Sequence, residues 1–205
     1  MAKKIAAVLL VLVLIAAGVI FVLWHRLTAL PEWYGSTEMI AEDGTPQVDG
    51  DWVLVPHAER PEQAPADAEV YQIRNPHLRT KKAAPIKPAI KASRATYSGG
   101  TLEGGAVLNL GDMKVEELPE KDREAYQKLI DAFPALTGRD VYVGFEKAHK
   151  SADGKVALGS DTELRIGDTH YTLKTAAKRL GMSEDALRKQ IEKELSRMDL
   201  DLPAG

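Results

Sequence analysis

The sequence predicts an α+β fold: a short antiparallel sheet with about three helices in a small C-terminal domain, behind an N-terminal single transmembrane helix and a Pro-rich linker. Three observations carry this expectation. Residues 5–24 form a run of twenty residues without a charge. Pro56, Pro61, Pro65, Pro76, Pro85 and Pro88 punctuate 56–95. From residue 96 onward, alternating and 3.6-period apolar patterns succeed one another.

At about 1.5 Å per residue, a helix over 5–24 would span about 30 Å, the hydrocarbon thickness of a bilayer. Lys3 and Lys4 precede it and a single arginine, Arg26, follows it, so the charge rule places the N-terminus in the cytoplasm. The run exceeds the apolar core of a cleaved signal peptide, and bulky Trp24, His25, Arg26 and Leu27 follow it. The expectation is a transmembrane signal anchor over 1–26 in a bacterial inner membrane, with a periplasmic C-terminal domain. Trp24, Trp33 and Tyr34 are amphipathic aromatics placed for the outer interface.

Residues 27–55 read as a membrane-proximal arm. Residues 56–95 read as a Pro-rich basic linker, because proline removes backbone donors and favours extended chain. Arg74, Arg79, Lys81, Lys82, Lys87, Lys91 and Arg94 occur there with no acidic residue among them. They are candidate binding residues for an anionic surface or partner. A self-repelling spacer accounts for them as well, since no aromatic is interleaved for stacking on bases.

The folded unit is expected over 96–205. Leu102–Leu110, with its glycines, suggests a short hairpin. Pro119 opens a helix with Tyr126, Leu129, Ile130 and Phe133 on one face. Val141, Val143 and Phe145 alternate as a strand. Residues 163–173 suggest a hairpin about Gly167–Asp168. Thr172 and Ser183 can cap two closing helices separated by Gly181.

The composition excludes several chemistries. There is no cysteine, hence no disulfide, thiolate site or cysteine nucleophile. His25, His57, His77, His149 and His170 lack metal-site spacing. No nucleotide-binding glycine loop or nucleophile elbow occurs. No enzyme activity, catalytic residue, metal or cofactor is expected.

Two local resemblances add to this reading. Ala177, Gly181 and Leu187 stand at the offsets of the helix-turn-helix motif of bacterial DNA-binding proteins, which 173–191 resembles. That resemblance implies that Arg188 and Lys189, on the exposed part of the second helix, meet a ligand. Acidic Glu184, Asp185, Glu192 and Glu194 balance the basic side chains there and oppose phosphate binding. The same stretch is similar to a LysM module: Gly167–Thr169, then Ala177 and Gly181, then Leu187. That similarity implies peptidoglycan binding, with a last strand near 198–202. Three more residues than usual separate its first two landmarks. Tight helix packing accounts for the same small residues.

The expected function is a non-enzymatic binding or assembly protein, an accessory or scaffold component of a bacterial envelope complex. Its partners would be the inner membrane and an envelope protein. The alternatives are a membrane-tethered helix-turn-helix regulator of DNA and a LysM-like peptidoglycan binder, with nucleic acid disfavoured.

Overall fold

The computed structural model describes residues 25–36, 39, 48–49, 51–60, 68–76, 87–151, 155–196 and 202–203. Seven antiparallel strands form one sheet in sequence order: β1 Val53–Leu54, β2 Val70–Arg74, β3 Ile90–Ser98, β4 Thr101–Leu108, β5 Val141–Lys150, β6 Val156–Ile166 and β7 Thr169–Thr172. Among the described residues, 25–27 are helical, and three further α-helices accompany the sheet: α1 Glu120–Ala132, α2 Leu173–Arg179 and α3 Glu184–Leu195.

This corrects the expected fold class. The sheet is not a short one within 96–205. It reaches back through β3 and β2 to β1, inside the stretches read as linker and arm. Gly99 and Gly100 both have positive φ (55° and 81°), as a two-residue primed hairpin turn requires. The turn therefore falls at 99–100, and Leu102–Leu108 is one continuous strand rather than a hairpin.

The transmembrane expectation is corrected as well. Among the described residues no helix is long and apolar enough to cross a membrane. The single-pass signal anchor and the periplasmic inner-membrane placement therefore have no support in the fold. The run 5–24 that motivated them lies outside the described residues. Of the aromatics assigned to a lipid interface, Trp24 lies outside the described residues, and Trp33 and Tyr34 pack on protein. Trp33 meets Tyr142 edge-on at 6.0 Å, and the Tyr34 hydroxyl donates to Asp140 Oδ2 at 2.8 Å.

One face of the sheet carries the core. Tyr97, Leu102, Ala148, Leu158 and Tyr171 pack with Phe133, Leu173, Ala176, Ala177, Leu187 and Leu195. Phe133, just past α1, meets Tyr171 edge-on at 5.6 Å. Thr172 caps α2 by accepting from Thr175 N at 3.2 Å, and Ser183 Oγ accepts from Ala186 N at 3.2 Å. Strand β7 pairs only with 163–166, which leaves the start of β6 an open edge. There α3 supplies a partner: Glu192 Oε1 accepts Leu158 N at 2.9 Å.

The segment 25–36 lies against the sheet at the β6–β7 turn. Asp168 N donates to Arg26 O at 2.7 Å. Gly167 has φ +56°, and a Cβ there would stand 2.6 Å from the Leu27 carbonyl carbon and oxygen. Both the backbone region and the close approach call for glycine.

Two substitutions test this packing. Gly167→Ala is expected to cost about 1–2 kcal/mol for the left-handed backbone alone, and more from the contact with Leu27. Leu187→Ala, which empties a buried site between helix and sheet, is expected to cost about 2–5 kcal/mol. Urea denaturation of the full chain measures both, and a Leu187→Ala midpoint equal to wild type contradicts the core placement.

Candidate functional site

Cross-strand register sorts the second face of the sheet into rows. Arg74 stands opposite Arg94, Arg94 opposite Gly105, Gly105 opposite Gly144, Gly144 opposite Arg165, and Arg165 opposite His170. One step along the strands, Glu146 stands opposite Glu163, and Glu103 lies on the β4 side of Glu146. A basic row and an acidic row thus run side by side across the open face.

A bulge follows the acidic row. Between Phe145 and Ala148, β5 has one residue more than β4, and Lys147 takes φ +60°. Opposite, β6 carries four residues, Gly159–Thr162, against the single Lys147. Buried Thr162 donates its hydroxyl to Lys147 O at 3.1 Å, which ties the two irregularities together.

Gly105 and Gly144 form a floor for Tyr142. A Cβ on either would come within 2.6 Å of the phenol. The ring lies along β5 with its hydroxyl over Gly144, and Glu146 is the next side chain on that face. Arg165 covers the ring at 5.1 Å. Its guanidinium also donates to Gly167 O at 2.7 Å and pairs with Asp168 at 2.9 Å and Glu146 at 3.5 Å.

His170, on β7, leans back over the acidic row. Its Nδ1 lies 3.7 Å from Glu146 Oε2 and 3.7 Å from Glu163 Oε2. One donor atom from each of Glu146, Glu163 and His170 falls within 4.8 Å of the others. Lys147 Nζ sits 3.1 Å from Glu163 Oε2 and, with His170, holds the Glu163 carboxyl below its ordinary value. Glu103 is pushed the other way, first by loss of water among its neighbours and then by the Glu146 charge, although its side chain still reaches solvent.

The basic residues singled out in the sequence do not gather into one patch. Arg74 is clamped by Asp49, Nε–Oδ2 2.9 Å and Nη2–Oδ1 2.9 Å. Lys91 pairs with Asp112 at 2.7 Å. Lys87 is exposed in a short turn, and Arg94 lies on β3 within the basic row. Arg188 pairs with Glu184 at 2.8 Å, and Lys189 is exposed on α3, away from this face. Arg79, Lys81 and Lys82 lie outside the described residues, as do 198–201 of the expected last LysM strand.

Sequence reasoning missed Tyr142, Glu146, Glu163, Arg165 and the role of His170. The hairpin register about Gly167–Asp168 was the available signal, since it sets Arg165 opposite His170.

No family model matches the chain, and neither a curated protein nor a solved structure is significantly similar to it.

Two phenols give this geometry a spectroscopic handle. Burial pushes Tyr142 up to about 12, with Arg165 opposing and Glu146 and Glu103 adding. Burial and the bond to Asp140 push Tyr34 up to about 12. Their neutral forms are favoured in the fold. The stability they add is whole below the ordinary value of 10.0 and is lost as pH rises through about 12. Ultraviolet titration of the full chain is expected to show two tyrosines ionising near about 12, one of which disappears in Tyr142→Phe. Ionisation of Tyr142 at its ordinary value contradicts its packing on the glycine floor.

Proposed function

We propose that the chain is a non-enzymatic binding module that takes a polypeptide partner on the charge-striped face of its sheet. The observation that carries this reading is the pair of adjacent rows of opposite sign, Arg94–Arg165–His170 beside Glu103–Glu146–Glu163. A polyanion laid across this face meets the acidic row and is repelled. A polypeptide can present both signs in register, and such complementarity sets specificity and orientation. Exposed Glu103, Lys147 and His170 are available to it, with Trp33 and Tyr142 beside them. The helix pair α2–α3 is a poorer candidate. Ala177 and Leu187 are buried against the sheet, and the charge of Arg188 is paired within its own helix.

Photo-crosslinking from defined positions tests the reading. A photoreactive residue at Thr96, on the striped face, is expected to give a discrete adduct that resists nuclease and is destroyed by protease. The same residue at Glu124, exposed on α1, is expected to give none. Glu103→Lys is expected to weaken the Thr96 adduct. Equal adducts from both positions, or a nuclease-sensitive one, overturn the proposal.

A further inference from the structure

We propose that Glu146, Glu163 and His170 form a binding site for a divalent metal ion of the zinc class. The argument begins with a cost. Strand register sets Glu146 opposite Glu163, with Glu103 on the far side of Glu146. Like charges facing each other across a sheet destabilise it. The chain nevertheless places three carboxylates in one row, and the imidazole of His170 reaches over two of them.

The spacing fits an ion. Zinc is held at about 2.0–2.2 Å by nitrogen and oxygen donors, so donors in a tetrahedron stand about 3.4 Å apart. His170 Nδ1 is 3.7 Å from one oxygen of Glu146 and 3.7 Å from one oxygen of Glu163. Small side-chain rotations close that difference. The ligands come from three consecutive strands, so the hydrogen-bonded sheet holds them in place before any ion arrives. One imidazole with two carboxylates suits a borderline ion such as zinc; calcium and magnesium favour all-oxygen sets.

Tyr142 lies beside the cluster. It is only 7% exposed. Its hydroxyl ends over Gly144, on the strand that also carries Glu146. Three protein ligands leave zinc a fourth position for water or an exogenous donor. Arg165, bound to the other oxygen of Glu146, orients that carboxylate as an outer-shell partner does. Lys147 holds Glu163 through an exposed pair, which contributes little and yields to an ion.

This site does not rest on the polypeptide reading. Metal uptake and crosslinking are separate measurements, and either can fail alone.

Calorimetric titration of the metal-free full chain with zinc chloride tests the site, with cobalt(II) as the spectroscopic probe. The expected result is one equivalent bound per chain and visible cobalt bands of low-symmetry mixed nitrogen and oxygen coordination. Glu163→Gln and His170→Ala are each expected to lower zinc affinity about tenfold or more, in the range of disrupted metal sites. His149→Ala, whose ring pairs with Asp161 elsewhere on the sheet, is expected to bind as wild type does. Circular dichroism and thermal melts establish that the variants are folded. Glu163→Gln removes a facing like charge, so it keeps the test intact if His170→Ala fails to fold. No saturable uptake by wild type overturns the proposal. So does unchanged affinity in a folded Glu163→Gln.

Discussion

The backbone of Lys147 is the constraint on which the sheet's geometry depends. A side chain in left-handed backbone costs energy that a regular strand does not incur. Here it makes β5 bulge against both neighbours at one level. A bulge bends its strand and increases local twist. The bend lets β6 carry Gly159–Thr162 without losing its pairing on either side. The Thr162 hydroxyl on Lys147 O holds the conformation from the β6 side, and the Lys147 ammonium on Glu163 holds it from the open face. Without the bulge, the register that sets Glu146 opposite Glu163 would run straight on through the start of β6, with no place for the extra residues of Gly159–Thr162.

A second constraint is the glycine floor. Gly104 and Gly105 look in the sequence like a turn, and glycine weakens a strand interior through entropy and missing side-chain contacts. The structure gives the reason they lie mid-strand. Gly104 stands against Ala95, where a Cβ would come 3.2 Å from the Ala95 Cβ. Gly105 and Gly144 make room for the Tyr142 phenol. That ring, in turn, is the surface on which Trp33 and Arg165 rest. One of the contacts that seat the segment 25–36 is thus made to an aromatic whose own seat depends on the absence of two Cβ atoms.

These two constraints explain which parts of the molecule were legible. Helices α2 and α3, with their Thr172 and Ser183 caps and the Gly181 break, are local matters of capping and periodicity, and sequence reports such matters well. So is the hairpin about Gly167–Asp168. Strand β3 was hidden because its first residues share a basic, proline-punctuated stretch, and composition outweighed the weak alternation of Ala92, Arg94 and Thr96. Strand β2 was hidden for the same reason, together with its short length. The site was illegible for a different reason. Glu146, Glu163 and His170 come from three strands and meet only through the long-range register of β5 with β6 and of β6 with β7. No local spacing encodes such a meeting.

The fate of the basic run bears on how charge in a sequence becomes field at a surface. Seven basic residues without an acid from 74 to 94 suggest a positive tether when only the chain is considered. Folding brings Asp49 to Arg74 and Asp112 to Lys91 from outside the run. Each pairing converts a long-range positive potential into a short-range dipole, which falls off faster with distance. On the striped face the same process is arrested at an intermediate stage. Arg165 is shared among Tyr142, Glu146 and Asp168, and Lys147 is given to Glu163, yet three carboxylates and one imidazole remain close together. Local pairing leaves that cluster short of full compensation. The uncompensated negative charge, and not the abundant positive charge of the run from 74 to 94, is the feature of this surface with the most to gain from a cation.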